Sequence, residues 1–354
     1  ANLMYSPHED LMVRLSKSQA IRAPNISELF GPEVGATFRP TDPCNASVIA
    51  GIRSNDEAAA NQLQANCVAD LQSIGYNPFD DSGEYVYTDP LSAAFPGVTG
   101  GNAELQEETA DTITAGFVYN SSWLEGFSVT ADYWSIEIDD AISAVSSDDI
   151  VNGCYVGESL NENFCSLFTR NTDASSPQFG GLNFLRSTQV NFARLETSGV
   201  DFSVGYDFEV GAHTFYTKVS GTKVNEIDQY TNPNDLTEVN PELGEVNRPE
   251  WAGNINLTWK WEELQVGWQT QYMDEQLLAG VEVEEYERGD FDDTAMMDEF
   301  WQHDINFSYM VKENLKMYGG IKNITDEQPF ITNFAYPASP RGRFYFVGFD
   351  MQFK

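Results

Sequence analysis

With 354 residues, no Pro- or Gly/Ser-rich linker and no break in composition, the chain reads as one architecture, larger than the usual soluble domain. A formal charge of −36 excludes a nucleic-acid backbone as partner, because phosphate binding demands a basic surface. A mean hydropathy of −0.38 and the lack of any apolar run approaching roughly 18 residues exclude a transmembrane helix; a β-barrel, apolar only at alternate strand positions, stays open.

Ala1 opens beside a turn-like Tyr-Ser-Pro-His-Glu-Asp (5–10) with no signal peptide, so the chain is expected to be processed or cut from something longer. Period-two alternation then predicts ten strands: 10–18, 109–120, 125–140, 188–208, 212–225, 250–261, 264–277, 299–311, 314–325 and 341–353. Gly199 is expected to mark a bulge or bend in the fourth. Alternation is strictest in 251–261, where Trp251, Ile255, Leu257, Trp259 and Trp261 share one face and Asn254, Asn256, Thr258 and Lys260 the other. The next strands repeat it with Leu264, Val266, Trp268 and Tyr272, then with Trp301, His303, Ile305, Phe307 and Tyr309. His303 is expected at an interface, not as a ligand.

Connections between the expected strands alternate in length without exception. Short turns fall near 121–124, 209–211, 262–263 and 312–313; long loops take 19–108, 141–187, 226–249, 278–298 and 326–340. A soluble sandwich gives no reason to place every long loop at one end, whereas outer-membrane barrels have short periplasmic turns and long extracellular loops. The aromatic residues Trp251, Trp259, Trp261, Trp268, Tyr272, Trp301 and Tyr309 are then expected in membrane girdles. The fold class predicted is all-β: a transmembrane antiparallel β-barrel with its carboxyl terminus in the periplasm. Cys44 and Cys67, and Cys154 and Cys165, form two local pairs in long loops, as two disulfides in an oxidising compartment would. No C-x-x-C occurs and His8, His213 and His303 are scattered, so no metal site is expected from them. The stretch 281–300 carries nine carboxylates against Arg288 alone. Its spacing matches no calcium loop, which favours a solvated, self-repelling segment over a cation site.

Several segments resemble the TonB-dependent outer-membrane receptors. Ser16 to Phe30 resembles the family's entry into an extracellular loop, with Arg22, Ala23, Pro24 and Asn25 followed by Glu28, Leu29 and Phe30. Residues 102–117 resemble the following N-P-x-L-x-P-E stretch, with Ala103 and Gln106 in place of proline, and 321–330 resemble the penultimate strand and its exit. The last strand resembles the closing strand and its assembly signal, here Tyr345, Val347, Phe349, Met351 and Phe353, followed by Lys354. The resemblance implies the last ten or so strands of a 22-stranded barrel. Residues 1–354 would then be the carboxyl-terminal part of a receptor whose plug, TonB box and earlier strands lie outside this sequence, and two open sheet edges would result.

The implied function is active uptake of a scarce, bulky nutrient, an iron–siderophore or other chelate or an oligosaccharide. The implied partners are the TonB complex, outer-membrane lipid and the barrel assembly machinery. A passive porin-like channel and a secreted soluble β-rich enzyme are the alternatives; neither explains both the Arg-Ala-Pro-Asn segment and the aromatic-capped strands, and no G-x-S-x-G or H-E-x-x-H supports an enzyme. No catalytic residue and no cofactor is expected. Loop aromatics Phe79, Tyr85, Tyr87 and Phe95 are candidates to stack on a ligand, and Arg14 and Arg22 to meet an anionic chelate. Loop packing and lumen ion pairs are the simpler readings of the same residues.

Overall fold

The computed structural model describes residues 1–90, 93–232, 235, 237–329, 336–337 and 339–353. Eleven strands form a single antiparallel meander, each paired with its neighbours in chain order: Asn2–His8, Leu11–Arg22, Glu108–Asn120, Phe127–Ala144, Gln189–Val210, His213–Tyr230, Trp251–Trp261, Leu264–Met273, Phe300–Lys312, Leu315–Lys322 and Phe344–Met351. A two-residue strand, Asn240–Pro241, adds to the long-connection end of His213–Tyr230. Ten of these are the predicted strands. The eleventh, Asn2–His8, corrects the turn-like reading of 5–10: Pro7 has no N–H to give a ladder, but an edge strand tolerates it, and the register shifts between Tyr5 and His8. Asn2–His8 and Phe344–Met351 are the two edges, and among the described residues neither has a partner on its outer side.

Residues directly opposite on neighbouring strands share a face. One row runs Val13, Phe117, Ala131, Phe202, Gly221, Gly253, Tyr272 and Trp301. Nearer the short turns, another runs Phe127, Tyr206, Thr217, Leu257, Trp268, Ile305, Ile321 and Tyr345. The opposite face carries Ser203, Ser220, Asn254, Gln271 and Gln302 in one row and Ser128, Gly205, Lys218, Asn256, Gln269 and Asp304 in the next. The sheet is thus apolar on one side and amide- and hydroxyl-rich on the other. Tyr345, Val347 and Phe349 are 63, 70 and 65% exposed, an apolar surface that water does not favour and a bilayer does.

A bulge sets where the apolar face stops. The pairing of Gln189–Val210 with His213–Tyr230 slips between Val224 and Glu226, opposite Gly199 and Ser198. Gly199 itself makes room: a Cβ there would lie 2.5 Å from the Trp134 ring and 2.7 Å from the Lys223 carbonyl. Beyond the bulge the outward rows turn polar, first Ser135, Ser198 and Glu226, then Asp111, Glu137, Glu196 and Asp228. The apolar portions that remain, 200–210 and 213–223, match the roughly nine to eleven residues of a tilted crossing. No described helix is long and apolar enough to cross a membrane.

The principal hydrophobic core lies outside this wall, in connections expected to be loops. Residues 23–107 and 145–188 build a shared unit of helices Ala46–Arg53, Glu57–Ser73 and Ser147–Tyr155 with a four-stranded sheet, Val34–Phe38, Phe95–Thr99, Leu182–Ser187 and Phe168–Arg170. Asp56 caps the long helix by accepting from Ala59 N at 2.9 Å, and Ala60, Leu63, Cys67 and Leu71 bury one helical face. The acidic stretch is also less open than expected: Met297 and Phe300 are buried at its base, where Met296–Met297 pairs with Gln276–Leu277.

The facing of the wall has a direct test. Leu257→Arg should cost about 2 to 4 kcal/mol of unfolding free energy in lipid vesicles, while Thr258→Arg, on the polar face, should cost far less. Equal losses at the two positions would contradict the assigned faces.

Candidate functional site

The unit carried by the two large connections is held by covalent and ionic ties. Cys44–Cys67 pins the long helix to the turn before Ala46–Arg53, and Cys154–Cys165 joins helix Ser147–Tyr155 to Glu162–Cys165. At its centre sits Arg170, its side chain 2% exposed. Its guanidinium donates to Asp42 from Nη1 at 2.6 Å and Nη2 at 3.0 Å, and to Asp70 from Nε at 2.8 Å. The Tyr155 hydroxyl at 2.7 Å, the Tyr87 hydroxyl at 3.0 Å and the Gly180 carbonyl at 3.1 Å complete the shell. Burial pushes the Tyr87 and Tyr155 phenols up, so both remain neutral. Burial opposes the Arg170 charge, but Asp42 above all holds it protonated. An ion this deep is tolerated only because every donor is met.

This packing corrects the stacking role considered for the loop aromatics. Tyr87 and Phe95 are 1% and 5% exposed and belong to the core. Tyr85 packs against that core, stands edge-on to Phe79 and donates its hydroxyl to the Cys44 carbonyl at 2.7 Å. Arg14 and Arg22 are likewise committed. Arg14 Nε donates to Asp132 at 2.6 Å; Arg22 Nη2 donates to Glu108 at 2.7 Å and its Nη1 to Glu28 at 3.2 Å. Each guanidinium is occupied by carboxylates of the protein, not held open for an anion.

The Arg22–Phe30 segment is tied to the wall by its own hydrogen bonds. Asn25 caps helix Ile26–Phe30 by accepting from Ser27 N and Glu28 N, both at 2.9 Å, while Glu28 returns a bond to Asn25 N at 2.7 Å. Glu28 thus joins the cap to Arg22, and Arg22 joins it to Glu108, whose Oε1 also accepts from Ile142 N at 2.7 Å. Ala23 and Pro24 carry the chain from strand to cap, Leu29 is half-buried and Phe30 exposed. A cleft of about 650 Å³ lies between the two connections of the unit and the start of strand Gln189–Val210, lined by Asn102, Glu104, Gln106, Asn163, Arg186 and Asn191 among others. Most of its amides are committed within the protein: Asn191 Nδ2 donates to the Gln106 and Asp140 carbonyls at 3.1 and 2.8 Å, and Asn102 Nδ2 to the Gln189 carbonyl at 3.0 Å. Among the described residues, no group of three or more His, Cys, Asp or Glu side chains is placed to hold a metal.

On the apolar face most predicted girdle residues form two bands. Trp251, Tyr272 and Trp301 gather with Phe202 toward the long connections; the Tyr272 and Trp301 rings are 4.4 Å apart. Trp259, Trp261 and Tyr309 lie toward the short turns, with His213 accepting from Trp259 Nε1 at 3.1 Å. Trp268 is the exception. Register places it opposite Leu257 and Ile305, between the bands, and its Nε1 donates to the Thr270 hydroxyl at 2.9 Å. His303 lies one row inside Trp301, its Nδ1 2.8 Å from the same Thr270 hydroxyl. The closing residues Tyr345, Val347, Phe349 and Met351 share the outward face of the edge strand, and Phe353 follows it, 84% exposed. Phe330 and Lys354 lie outside the described residues.

Sequence reasoning missed the Arg170 cluster and the helices around it. The Asp56 cap and the 60, 63, 67, 71 spacing were the available signals for the long helix; nothing local marked Arg170. Arg170→Leu should strand Asp42 as a buried carboxylate, leave the partly exposed Asp70 without its cation, and cost about 3 to 5 kcal/mol locally. Protease cleavage within 45–75 of the intact receptor should accelerate accordingly. Arg22→Ala, at an exposed pair, should cost about 1 kcal/mol or less. Unchanged cleavage in Arg170→Leu would remove the cluster's organising role.

A family model described as "TonB dependent receptor-like, beta-barrel" matches residues 1–324. Comparison with curated proteins gives no match. Among solved structures, the siderophore receptor PirA from Acinetobacter baumannii superposes with a TM-score of 0.55 at 14% identity, over 99% of this chain and 40% of that one. A mutant ferric enterobactin receptor, PfeA, from Pseudomonas aeruginosa, in complex with enterobactin, gives 0.53 at 11% over 99% and 40%. The FrpB iron transporter from Neisseria meningitidis gives 0.50 at 13% over 99% and 38%. At these identities the likeness is one of fold, and the chain spans about two-fifths of the length of the receptors it matches.

Proposed function

Because the chain belongs to the TonB-dependent receptor β-barrel family, an outer-membrane family, we propose that it forms the carboxyl-terminal part of a receptor that takes up a scarce, bulky nutrient with energy delivered through TonB. The observation that carries this reading is the two-sidedness of the meander, apolar on one face and amide-rich on the other, with short and long connections alternating along it. A single strand could alternate by chance; eleven in register could not.

In this reading the two free edges are completed by earlier strands of the same receptor, towards 22 in all, and the polar face lines a lumen filled by a plug. Such a lumen would leak without the plug, and moving the plug requires work because the outer membrane holds no proton gradient of its own. The long connections face the medium and the carboxyl terminus faces the periplasm. The two disulfides, both at the long-connection end, support that orientation, since disulfides persist in oxidising surroundings. The disulfide-tied unit then acts as a firm outer rim, and the cleft lined by Glu104 and Arg186 among others is a place where a ligand is held before reaching the plug. Ferric siderophores are the first ligand class to test, with oligosaccharides second; the similar structures include receptors named for siderophores.

The test is uptake by a strain lacking its other receptors and expressing the whole receptor. Accumulation of a radiolabelled ferric siderophore or oligosaccharide should depend on the receptor and vanish when TonB is deleted. Accumulation that persists without TonB would instead indicate a passive channel.

A further inference from the structure

Two of the smaller connections, 231–250 and 274–299, meet at one spot with an unusual charge inventory. The turn 242–248 closes through Gly244 N to the Arg248 carbonyl at 2.8 Å. It abuts the neighbouring connection through Leu277 N to the Gly244 carbonyl at 2.7 Å and Asn247 N to Gln276 Oε1 at 2.8 Å. Arg248 stands between Glu242, at 2.9 Å, and Glu245 Oε2, at 2.6 Å. Both glutamates are buried, each 8% exposed.

The other oxygen of Glu245, Oε1, is buried and meets no protein donor. A second carboxyl, that of the exposed Glu282, which begins the short helix Val283–Glu287 in the neighbouring connection, lies within hydrogen-bonding reach of the Glu245 side chain. Two ionised carboxylates repel and have no hydrogen to share; one proton between them satisfies the orphan oxygen and removes a charge from a site where three carboxylates answer to one guanidinium. We propose that Glu245 and Glu282 share one proton and thereby form a pH-responsive latch between the two connections, closed in mildly acidic medium and loosened toward neutral pH. The latch goes beyond the transport reading and rests on it only for which side of the membrane supplies the pH.

The charged groups acting on Glu245 are Glu282 from the neighbouring connection and Arg248 and Glu242 from its own turn. Burial first, then the Glu282 carboxylate, pushes Glu245 up from the ordinary 4.5 to about 7, with Arg248 pulling the other way. A carboxyl that binds its proton more tightly in the closed form favours closure fully below pH 4.5. That advantage falls by up to about tenfold per pH unit as the open form ionises, and is spent once the pH has risen through about 7.

The experiment is hydrogen–deuterium exchange on the full-length receptor in detergent micelles, where both faces see one pH. Peptides covering 242–250 and 276–288 are followed from roughly pH 5 to 8 and normalised to the wall strand 251–261, which cancels the intrinsic pH dependence of exchange. In the wild type, normalised protection should fall by about tenfold or more between pH 5 and 7 and level off above. Glu245→Gln and Glu282→Gln should each abolish the fall, because an amide donates to the remaining carboxylate without titrating. Protection independent of pH in the wild type, or the same fall in the glutamine variants, overturns the latch. Should Glu245→Gln not assemble, the more exposed Glu282→Gln decides alone. No transport is read, so a receptor inactive in uptake would leave this test intact.

Discussion

A backbone that crosses hydrocarbon has no water to satisfy its N–H and C=O groups, so each must be paired within the sheet. Most of this molecule follows from that constraint. It requires neighbouring strands in continuous antiparallel register, and register in turn fixes which side chains share a face, because a slip of one residue would exchange the two faces wholesale. The polar groups that do face outward obey the same rule: Trp268, Thr270 and His303 satisfy one another. Where the sheet leaves the apolar zone the rule relaxes, and there the bulge at 225 and a row of carboxylates appear.

The connections face a different problem. Beyond the apolar zone of the wall no lipid is at hand to pack against, so the two largest must bury apolar surface between themselves. They do so with Leu71, Ile150, Leu182 and Leu185 around a buried ion cluster and two disulfides. A small core of this kind has little stability to spare, which is where cross-links contribute most. Arg170 specifies the arrangement more than it strengthens it, since alternative packings would leave its charge or that of Asp42 unmet.

The wall was legible in the sequence because its signal is local. Trp251, Ile255, Leu257, Trp259 and Trp261 announce a face within one strand, and no distant residue is needed to read it. Asn2–His8 escaped because Ser6 and Pro7 imitate a turn and an edge strand tolerates what a central strand would not. Gly199 did coincide with an irregularity, although the inserted residue sits across from it, at 225. The core of the large connections was illegible for the opposite reason. Arg170 meets Asp42 and Asp70 from 128 and 100 residues away, separations at which no periodicity points one to the other. Tyr87 and Phe95, seen among polar neighbours, left ligand stacking open beside the simpler loop packing, and their burial decides for packing. Trp268 has the composition of a girdle residue, and only the register shows that it lies between the bands.

Arg170 and Asp42 enter one core from two connections separated by a pair of membrane strands. Inheritance must treat those connections as one object. A recombination event that replaced 23–107 while keeping 145–188 would separate the guanidinium from its carboxylates and mismatch half a hydrophobic interior. Variation in these connections should therefore arrive either as paired changes in both or in the exposed segments that touch neither partner. Transplanting this core onto another barrel calls for moving both connections together.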